Sequence, residues 1–528
     1  MEAAISKAGR GVPAVPERQF DFEDLFIFDL ANNHQGDVDH ASRIIRAVAD
    51  VAHANGVRAA LKFQFRDLDT FVHPTHREGS ENRHIPRFLS TRLADDDFAR
   101  LTEEVRQTGL VTMCTPFDEP SVAKIVDLGI EVVKVASCSA VDWPLLEAIA
   151  ESNKPVVAST GGLTLEQVDD IVSFFDHRRV ALALEHCVSI YPTPQDDLEL
   201  EQIALLKRRH PSKVIGFSTH EDPADTEPVI VAVAKGASIL ERHVGIETET
   251  IELNAYSSTP EQLDRWIKAA LRAKAMVGAP ERQPSPDEER EALASLQRGV
   301  YAARTLKAGD PVTREDVYFA APYEDGQLPS GRWTDGIVAA DAIAKDEPLQ
   351  LASLEIPSDA VMGSLFTAIH SIKALLNEAK VALNTEFELE FSHHYGLDRF
   401  TEVGATIITC INRSYCKKLI VQLPGQRHPL HYHKRKEETF QVLYGVLEIE
   451  IEGRRRTLQP GDIQLVQQGV WHRFWTDTGV IFEEISTTHY NDDSFYEDKT
   501  INRLPRDQRK TVVNNWGRYQ LGDLAGSR

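Results

Sequence analysis

The chain has 528 residues, a formal net charge of −23 at pH 7 and an apolar content of 42%. This length favours two or more domains, and the strong negative charge argues against nucleic acid as a partner. Apolar runs fall short of the roughly 20 residues of a membrane span, and residues 1–20 lack the apolar core of a signal peptide. Five cysteines without zinc-type spacing suit reduced thiols. We therefore predict a cytoplasmic protein that acts away from membranes.

Eight short apolar runs in the first half of the chain each end in polar residues. Nearly continuous apolar runs are typical of parallel strands covered on both faces. Longer amphipathic stretches with helical spacing, such as residues 41–54 and 120–128, lie between them. The alternation predicts an α/β fold, a (β/α)8 TIM barrel whose chemistry lies at the C-terminal strand ends. The runs are 26–29, 60–64, 111–117, 132–137, 155–160, 183–187, 214–220 and 239–243.

The alternation of strands and helices stops near Val277. Residues 278–289 are polar and contain proline, which indicates a linker. Residues 291–356 are predicted to form a small module of short strands and turns, at 300–303, 306–312 and 336–340, and residues 365–382 a helix. From about Thr385 the residues alternate between apolar and polar with Gly turns, which indicates antiparallel strands with one wet face.

The strand ends of the predicted barrel carry groups suited to an anion and a metal. Positive charge comes from Lys62 and Lys134, and short hydroxyl donors could fix a carboxylate and a phosphate. His220 and His243 end neighbouring strands and could share a divalent metal, with Asp29 next around the ring. A single polar residue at a strand end is more often a helix cap or a solvated side chain. The occurrence of such residues at consecutive strand ends favours a functional site. The hydroxyls are those of Thr115, Ser137, Ser159 and Ser218.

A second metal-type pattern lies in the C-terminal part. Gly425 is followed after five residues by His431-x-His433, after four more by Glu438, and after six more by Gly445, with His472 further on. On a strand, His431 and His433 point to the same face. With Glu438 and His472 they could form a mixed nitrogen and oxygen site for Mn, Fe, Ni or Zn.

The barrel segments resemble those of the sialic acid synthase (N-acetylneuraminate synthase) family over about residues 24–356. The resemblance rests on residues 33–36, 62–64, 115–118, 133–137, 159–162, 186–194 and 240–243. It implies condensation of phosphoenolpyruvate with an aldose. Residues 286–356 resemble the antifreeze-like SAF domain that covers the partner's barrel in the family, which implies a homodimer. We therefore expect a barrel domain at residues 1–285, an SAF domain at 286–356, and a helical linker with a cupin domain at 357–528.

The resemblance also implies roles for individual residues. Phosphoenolpyruvate would be held by Lys62, Lys134 and the four hydroxyls at 115, 137, 159 and 218, and Mn²⁺ or Mg²⁺ by His220 and His243. Asp29 stands where the family has a Glu, and would be the acid or base. Further substrate-binding residues would be Asn33, Gln64, Ser189 and Tyr191.

The departures from the family fall on the acceptor side of the site. Cys138 and Ser139 stand where the family has Gly-Glu, Ser189 replaces an Asn, and Ala321 replaces an Arg of the SAF domain. We therefore expect an acceptor other than N-acetylmannosamine. The segment after the second strand is also cationic, which would suit a phosphorylated or otherwise anionic acceptor, although an ordinary solvated loop explains it equally well. Its polar residues are Arg77, Asn82, Arg83, His84, Arg87 and Arg92.

The C-terminal part resembles cupins, in particular sugar-isomerising cupins of the D-lyxose isomerase type. The resemblance implies that it could make the aldose that the barrel consumes, with Glu437 or Glu484 near the metal as a proton shuttle. Two alternatives remain open. The chain could be a non-catalytic barrel–cupin protein that binds sugars and serves as an assembly or regulatory subunit. Alternatively, the cupin could be the main enzyme and the barrel a dimerisation unit.

Overall fold

The computed structural model describes residues 20–280, 282–357, 360–383 and 387–513, without the side chains of 360–366 and 507. Two compact units make up the chain, one ending at Gln283 and the other beginning at Pro284. Within these residues, no helix combines the length and the apolar character needed to cross a membrane.

The first unit is a closed barrel of eight parallel strands in which each strand pairs with the next and the last pairs with the first. The predicted (β/α)8 fold is confirmed. The strands are β1 (Leu25–Asp29), β2 (Arg58–Phe65), β3 (Val111–Pro116), β4 (Val132–Val135), β5 (Val156–Ser159), β6 (Leu182–Cys187), β7 (Ile215–Thr219) and β8 (Ile239–His243).

Helices surround the barrel and bury their apolar faces against the strands. The first begins where the Asp37 side chain accepts hydrogen bonds from two backbone N–H groups, and it ends at Gly56 in the left-handed conformation. The helices are α1 (Val38–Asn55), α2 (Leu68–Phe71), α3 (Ile85–Ser90), α4 (Asp95–Gln107), α5 (Glu119–Asp127), α6 (Trp143–Glu151), α7 (Leu165–His177), α8 (Glu201–Arg209), α9 (Glu227–Ala234) and α10 (Pro260–Val277).

The barrel interior consists of an apolar layer below a polar one. Side chains two residues apart on a strand point to the same side, so each strand contributes to both layers. The apolar layer contains Ile27, Ala60, Met113, Val132, Val157, Ala183 and Ile239, with Gly216 on β7. Two residues further along each strand lies what we call the polar layer: Asp29, Lys62, Thr115, Lys134, Ser159, Glu185, Ser218 and Glu241, all buried.

The second unit begins inside the segment predicted to be a linker. Helix α11 (Asp287–Leu296) starts with three acidic residues, which suit the positive end of the helix dipole, so the linker is shorter than predicted. Two small antiparallel sheets with a core of their own follow. They contain β9 (Gly299–Ala302), β10 (Val317–Ala320), β11 (Val338–Ala339) and β12 (Leu354–Glu355).

Two segments of this region take a form that the sequence left open or misplaced. Residues 306–312 form a turn with isolated bridges at Leu306 and Pro311, because Gly309 has a φ of 87° and Pro311 lacks an N–H group. The predicted helix at 365–382 is α12 (Ala360–Glu378), and Lys380, with a φ of 53°, ends it before Ala382. The predicted switch at Thr385 lies outside the described residues.

The remaining chain forms two antiparallel sheets with a core between them, which confirms the all-β C-terminal region. The larger sheet has the order β20-β17-β22-β15-β14-β13-β24, and the smaller one β19-β18-β21-β16-β23. Their elements are β13 (Glu388–Ser392), β14 (Ala405–Asn412), β15 (Tyr415–Gln422), β16 (His431–Tyr432), β17 (Glu438–Gly445), β18 (Leu447–Ile451), β19 (Arg454–Leu458), β20 (Ile463–Val466), β21 (His472–Trp475), β22 (Val480–Thr487), β23 (Phe495–Tyr496), α13 (Lys499–Arg503) and β24 (Lys510–Val513).

Candidate functional site

A cavity of about 630 Å³ opens above the polar layer, at the C-terminal ends of the barrel strands. Its walls contain every residue that the sequence predicted for the barrel site. Eight separate segments converge there because strand ends meet at one face of the barrel. The thirteen residues are Asp29, Asn33, Lys62, Gln64, Thr115, Lys134, Ser137, Ser159, Ser189, Tyr191, Ser218, His220 and His243.

Lys62 lies at the centre of a buried ion network on one side of the cavity. Its Nζ is 2.9 Å from Asp29 Oδ2 and 3.1 Å from Glu241 Oε1. Burial alone would lower the pKa of Lys62, but the two carboxylates raise it above its ordinary value. Burial would likewise raise the pKa of Asp29, but Lys62 and His243 lower it to about 2. Both groups are therefore charged at neutral pH.

Lys134 occupies the opposite side and contacts two carboxylates and a hydroxyl. Its Nζ lies 2.5 Å from Ser159 Oγ, 3.4 Å from Glu185 Oε2 and 3.8 Å from Glu241 Oε2. Burial, with a smaller contribution from the neighbouring Glu241, raises the pKa of Glu185 to about 8. Two lysines thus present ammonium groups to the cavity floor, one carboxylate between them is ionised, and Glu185 keeps its proton at neutral pH.

His220 and His243 lie side by side at the rim of the polar layer, with ring centroids 5.5 Å apart. His220 Nδ1 is 3.2 Å from the Val188 carbonyl oxygen. A carbonyl only accepts, so Nδ1 carries the proton and Nε2 keeps its lone pair. Burial lowers the pKa of both rings, that of His220 to about 3. His243 Nε2 is 3.4 Å from Asp29 Oδ2. Two neutral imidazoles beside a carboxylate fit a divalent metal.

The other residues predicted to bind substrate differ in whether the protein already engages their polar groups. Asn33 donates to the Val244 carbonyl at 2.8 Å and to Ser257 at 3.0 Å, so it holds the loop after β8. Ser137 accepts from the Gly161 N–H at 3.0 Å. Tyr191 packs against His220 with ring centroids 4.4 Å apart. The Tyr191 ring and the Ser189 side chain line the cavity.

Several cavity residues were missed by the sequence reasoning, among them Glu241, Arg66 and Tyr256. Glu241 precedes His243 by two residues on β8, so strand alternation alone would have put it on the inner face. Arg66 follows Gln64 by two residues, just beyond the end of β2, and could have been found in the same way. Tyr256 belongs to the irregular segment after β8, where no periodic signal exists. All three line the cavity.

The cationic segment after β2 divides into two groups. Arg83, His84 and Arg87 line the cavity. Arg92 instead forms an ion pair with Asp69, with Nη2 2.9 Å from Oδ2. Arg77 donates to the carbonyl oxygens of Asp69 and Val72. Only part of the predicted cationic segment is therefore available to a ligand.

The C-terminal barrel brings its predicted metal ligands together in its interior. The ligand atoms of His431, His433 and His472 lie within 4.8 Å of one another, and all three residues are buried. Glu438 Oε1 is 3.3 Å from His433 Nε2, and Glu438 Oε2 is 3.1 Å from His472 Nε2. Four side chains from three strands and a loop therefore surround one point.

The hydrogen bonds of the three rings identify their free nitrogens. Each Nδ1 lies near a backbone carbonyl oxygen: Pro429 at 3.0 Å for His431, Asp493 at 2.6 Å for His433 and Val470 at 3.1 Å for His472. Each Nε2 therefore carries a lone pair.

The lone pair of His472 faces Glu438 Oε2, and within the described part of the chain neither atom has a hydrogen-bond partner. Two acceptors 3.1 Å apart repel each other unless a cation lies near both. The site fits a divalent metal.

Two features set this site apart from the barrel cavity. The Glu438 carboxylate is paired with the ammonium of Lys436, which also lies 2.9 Å from Glu484 Oε1. The cavity beside the histidines measures about 40 Å³, whereas small-molecule sites usually measure about 300–1,000 Å³. This space accommodates a metal ion and one or a few water molecules.

The chain matches two family models. Residues 48–282 match the NeuB family, and residues 419–483 match the cupin domain. The first match falls on the barrel and the second on the sheets that carry the histidine cluster.

Individual proteins are similar to the N-terminal part. A crystal structure from Chromobacterium violaceum, described as spore coat polysaccharide biosynthesis protein E, is 44% identical with a TM-score of 0.60. The alignment covers 63% of this chain and all of that one. N,N'-diacetyllegionaminic acid synthase of Legionella pneumophila is 26% identical over 60% of this chain and 90% of its own length. N-acetylneuraminate-9-phosphate synthase of Mus musculus is 26% identical over 55% of this chain and 80% of its own length.

Proposed function

This chain belongs to the NeuB family of sialic acid synthases, and from that premise we propose that its barrel condenses phosphoenolpyruvate with an aldose to give a 3-deoxy-ulosonic acid and phosphate. The observation that carries the proposal is the polar layer itself. Two buried ammonium groups, three hydroxyls and two neighbouring imidazoles face one cavity at the barrel mouth. This set matches a substrate with a carboxylate and a phosphate next to a metal-bound partner.

The phosphoenolpyruvate side of the cavity would be formed by Lys62 and Lys134 with the hydroxyls of Thr115, Ser137, Ser159 and Ser218. Both ammonium groups are held in place by carboxylates of the polar layer. They are therefore oriented before the substrate arrives, which lowers the entropy lost on binding.

The reaction needs an electrophile, a nucleophile and a proton acceptor. A divalent metal, Mn²⁺ or Mg²⁺, held by His220 and His243 would supply Lewis acidity at the aldehyde oxygen. The enol carbon C3 of phosphoenolpyruvate forms a bond to the aldehyde carbon, water adds at C2, and phosphate leaves with cleavage of its bond to C2. Asp29, which is ionised at neutral pH, is placed to take the proton that the water loses. The former aldehyde oxygen takes up one proton to become a hydroxyl, and phosphate carries away the other proton of the added water as the C2 carbonyl forms.

The acceptor side supports an aldose other than N-acetylmannosamine. Cys138 and Ser189 line the cavity at positions where the family has a Gly and an Asn, and Ser139, next to Cys138, stands where the family has a Glu. Hydroxyls therefore replace a carboxylate and an amide, so the hydrogen bonds to the sugar differ. Residues 291–356 have a core of their own, and we propose them as the SAF module of a homodimer.

The cupin is proposed to bind a second divalent metal (Mn, Fe, Ni or Zn) through His431, His433, Glu438 and His472. Its sugar could be isomerised or only bound, and the size of the cavity bears on this choice. About 40 Å³ beside the histidines is too little for a sugar, so turnover would require the cavity to widen. The small cavity favours a metal site that binds or senses over one that turns over freely.

The experiment is phosphate release from phosphoenolpyruvate with Mn²⁺ across a panel of aldoses and ketoses. We expect release with an aldose and a loss of about tenfold to a hundredfold in Lys134→Met, because a buried charged donor contributes roughly 1.5–3 kcal/mol. Lys235→Met is the matched control, since Lys235 is 40% exposed and pairs with Glu201 on the surface.

Each outcome of the panel has a separate meaning. Release with a ketose alone would identify the cupin as an isomerase that feeds the barrel. Binding of phosphoenolpyruvate without release from any sugar would favour the alternative of a non-catalytic, sugar-binding barrel–cupin protein. Failure to bind phosphoenolpyruvate at all would refute the proposed chemistry.

A further inference from the structure

We propose that the barrel cavity contains an anion subsite, formed by Arg66 with Arg83 and Arg87, that holds a negatively charged group of the acceptor sugar. The inference rests on the proposed condensation and specifies its substrate class. The acceptor is an aldose that carries a phosphate or a carboxylate away from its aldehyde carbon.

Arg66 is a partly buried cation without a carboxylate partner among the residues that the structure describes. Its guanidinium lies between two aromatic rings, 3.6 Å from the centroid of Phe117 and 4.2 Å from that of Phe88. One N–H group donates to Gln64 Oε1 at 3.1 Å, while Nε is shielded from solvent and has no partner. Burial lowers the pKa of Arg66 to about 10, so it is charged at neutral pH.

A guanidinium clamped in this way is prepared for a ligand. The two rings fix its plane, and a fixed guanidinium recognises phosphate and carboxylate through two parallel hydrogen bonds. A partly desolvated cation without a counter-ion is also unfavourable. An incoming anion would remove that penalty, which a neutral sugar cannot do.

The position of Arg66 fits the far end of an acceptor. Gln64 donates to Asp29 Oδ2 at 3.1 Å and accepts from Arg66, and Asp29 lies beside His243. The guanidinium is thus one side chain beyond the carboxylate at the proposed metal. An aldose with its carbonyl at the histidines would direct its distal carbons toward Arg66.

Two arginines at the cavity rim extend the positive charge of Arg66. A third arginine of the same segment is instead neutralised by an ion pair. Arg83 and Arg87 line the same cavity. Arg83 Nε lies 3.3 Å from His84 Nε2, and Arg87 Nη2 lies 3.5 Å from the Asn32 carbonyl oxygen. Arg92, from the same segment, is neutralised by Asp69. Unneutralised arginines therefore face the cavity in a chain whose formal net charge is −23.

The test compares matched pairs of sugars on the full chain with Mn²⁺. The pairs are mannose and mannose 6-phosphate, N-acetylmannosamine and its 6-phosphate, arabinose and arabinose 5-phosphate, and glucose and glucuronate. Binding is measured by calorimetry and turnover by phosphate release from phosphoenolpyruvate. We expect at least one charged sugar to bind tighter than its neutral partner by about tenfold to a hundredfold, the usual effect of a charged hydrogen bond.

Variants assign that preference to the subsite. Arg66→Met keeps the length of the side chain between the rings and should abolish the preference, whereas Arg92→Met should retain it. If the thermal unfolding midpoint shows that Arg66→Met is not folded, the rim variant Arg87→Met replaces it and should reduce the preference. Tighter binding of the phosphorylated sugars would identify a phosphorylated acceptor, and tighter binding of glucuronate would identify an acceptor with a carboxylate.

The inference is overturned if no charged sugar binds better than its neutral partner, or if Arg66→Met keeps the preference. Turnover of neutral aldoses alone would refute the subsite and leave the proposed condensation intact. Failure of the wild-type chain to bind phosphoenolpyruvate would instead refute the proposed condensation, so the two failures are distinguishable.

Discussion

The carboxyl group of Glu185 lies beneath the cavity floor, fully buried, with Oε2 3.4 Å from the ammonium of Lys134. The polar layer contains three acids and two lysines, so one acid must be neutral for its charges to balance. Glu185 is the acid whose two oxygens have no hydrogen-bond partner. Its charged neighbours are Lys134 on β4, Glu241 on β8 and Lys62 on β2.

The first prediction concerns the pH dependence of phosphoenolpyruvate binding. The pKa of Glu185 is raised to about 8, so the acid is neutral below that pH and ionised above it. The ionised form adds a negative charge below the anion site and competes for Lys134. The KM for phosphoenolpyruvate should therefore be constant up to about pH 8 and rise by up to about tenfold per pH unit above it.

Variants test whether Glu185 is the group responsible for the rise. Glu185→Gln should remove the alkaline rise in KM while the value at pH 7 stays within about threefold, because the amide resembles the protonated acid. Cys138→Ser should keep the rise, since that thiol lies in the cavity wall and not below the floor. A wild-type profile that is flat to pH 9.5 would contradict the prediction.

At the scale of elements, β7 depends on a residue without a side chain. A Cβ on Gly216 would lie 2.7 Å from Ile239 Cβ, 2.8 Å from Glu185 Cγ and 2.8 Å from the Ile239 carbonyl oxygen. Because one of these neighbours is backbone, β7 and β8 would have to separate. Gly216→Ala should therefore lower the free energy of unfolding by about 1–3 kcal/mol, as measured by urea denaturation.

The shift of β7 in Gly216→Ala should also reduce activity, and by more than the loss of stability alone would explain. Ser218 and His220 follow Gly216 along the strand, so a shift of β7 moves two proposed substrate and metal contacts together. Gly79→Ala is the control, because a Cβ there meets nothing within 4 Å. Equal stability of the two variants would show that the barrel accommodates the methyl group.

Elements with strong periodicity were predictable from the sequence, and those set by local geometry were not. The barrel strands were recognisable because each buries both faces, and the polar residues at their ends fell into one cavity because parallel strands end at one face. The linker was overestimated because its acidic residues begin helix α11. Which part of 306–312 is strand and which is turn was left open, because Gly309 and Pro311 set the turn through local geometry.

The cavity residues show the same division. His220 and His243 were found because each ends an apolar run. Arg66 was missed because its significance comes from Phe88 and Phe117, which lie 22 and 51 residues further along the sequence and meet it only in the fold. The small size of the cupin cavity was likewise invisible, since it depends on how side chains from two sheets pack.

At the scale of the whole molecule, two units with separate cores each carry a proposed metal site. A metal that binds only the folded state stabilises the unit that holds it. We therefore expect two thermal transitions in calorimetry, both lowered by a chelator. At a metal concentration of about 100 times Kd the stabilisation is about 2.7 kcal/mol, which for a unit of this size corresponds to roughly 5–10 °C.

Single substitutions assign each response to its unit. His431→Ala should remove the effect of the chelator on one transition, and His220→Ala should remove it on the other. Gly216→Ala lowers the barrel transition selectively and so identifies it. The three cupin imidazoles and Glu438 should give the larger response, because four ligands bind a divalent ion more tightly than the two histidines and one carboxylate of the barrel. If His431→Ala altered the response of the barrel transition, the two metal sites would be coupled and not independent, and if the chelator moved neither transition, neither site would hold a metal.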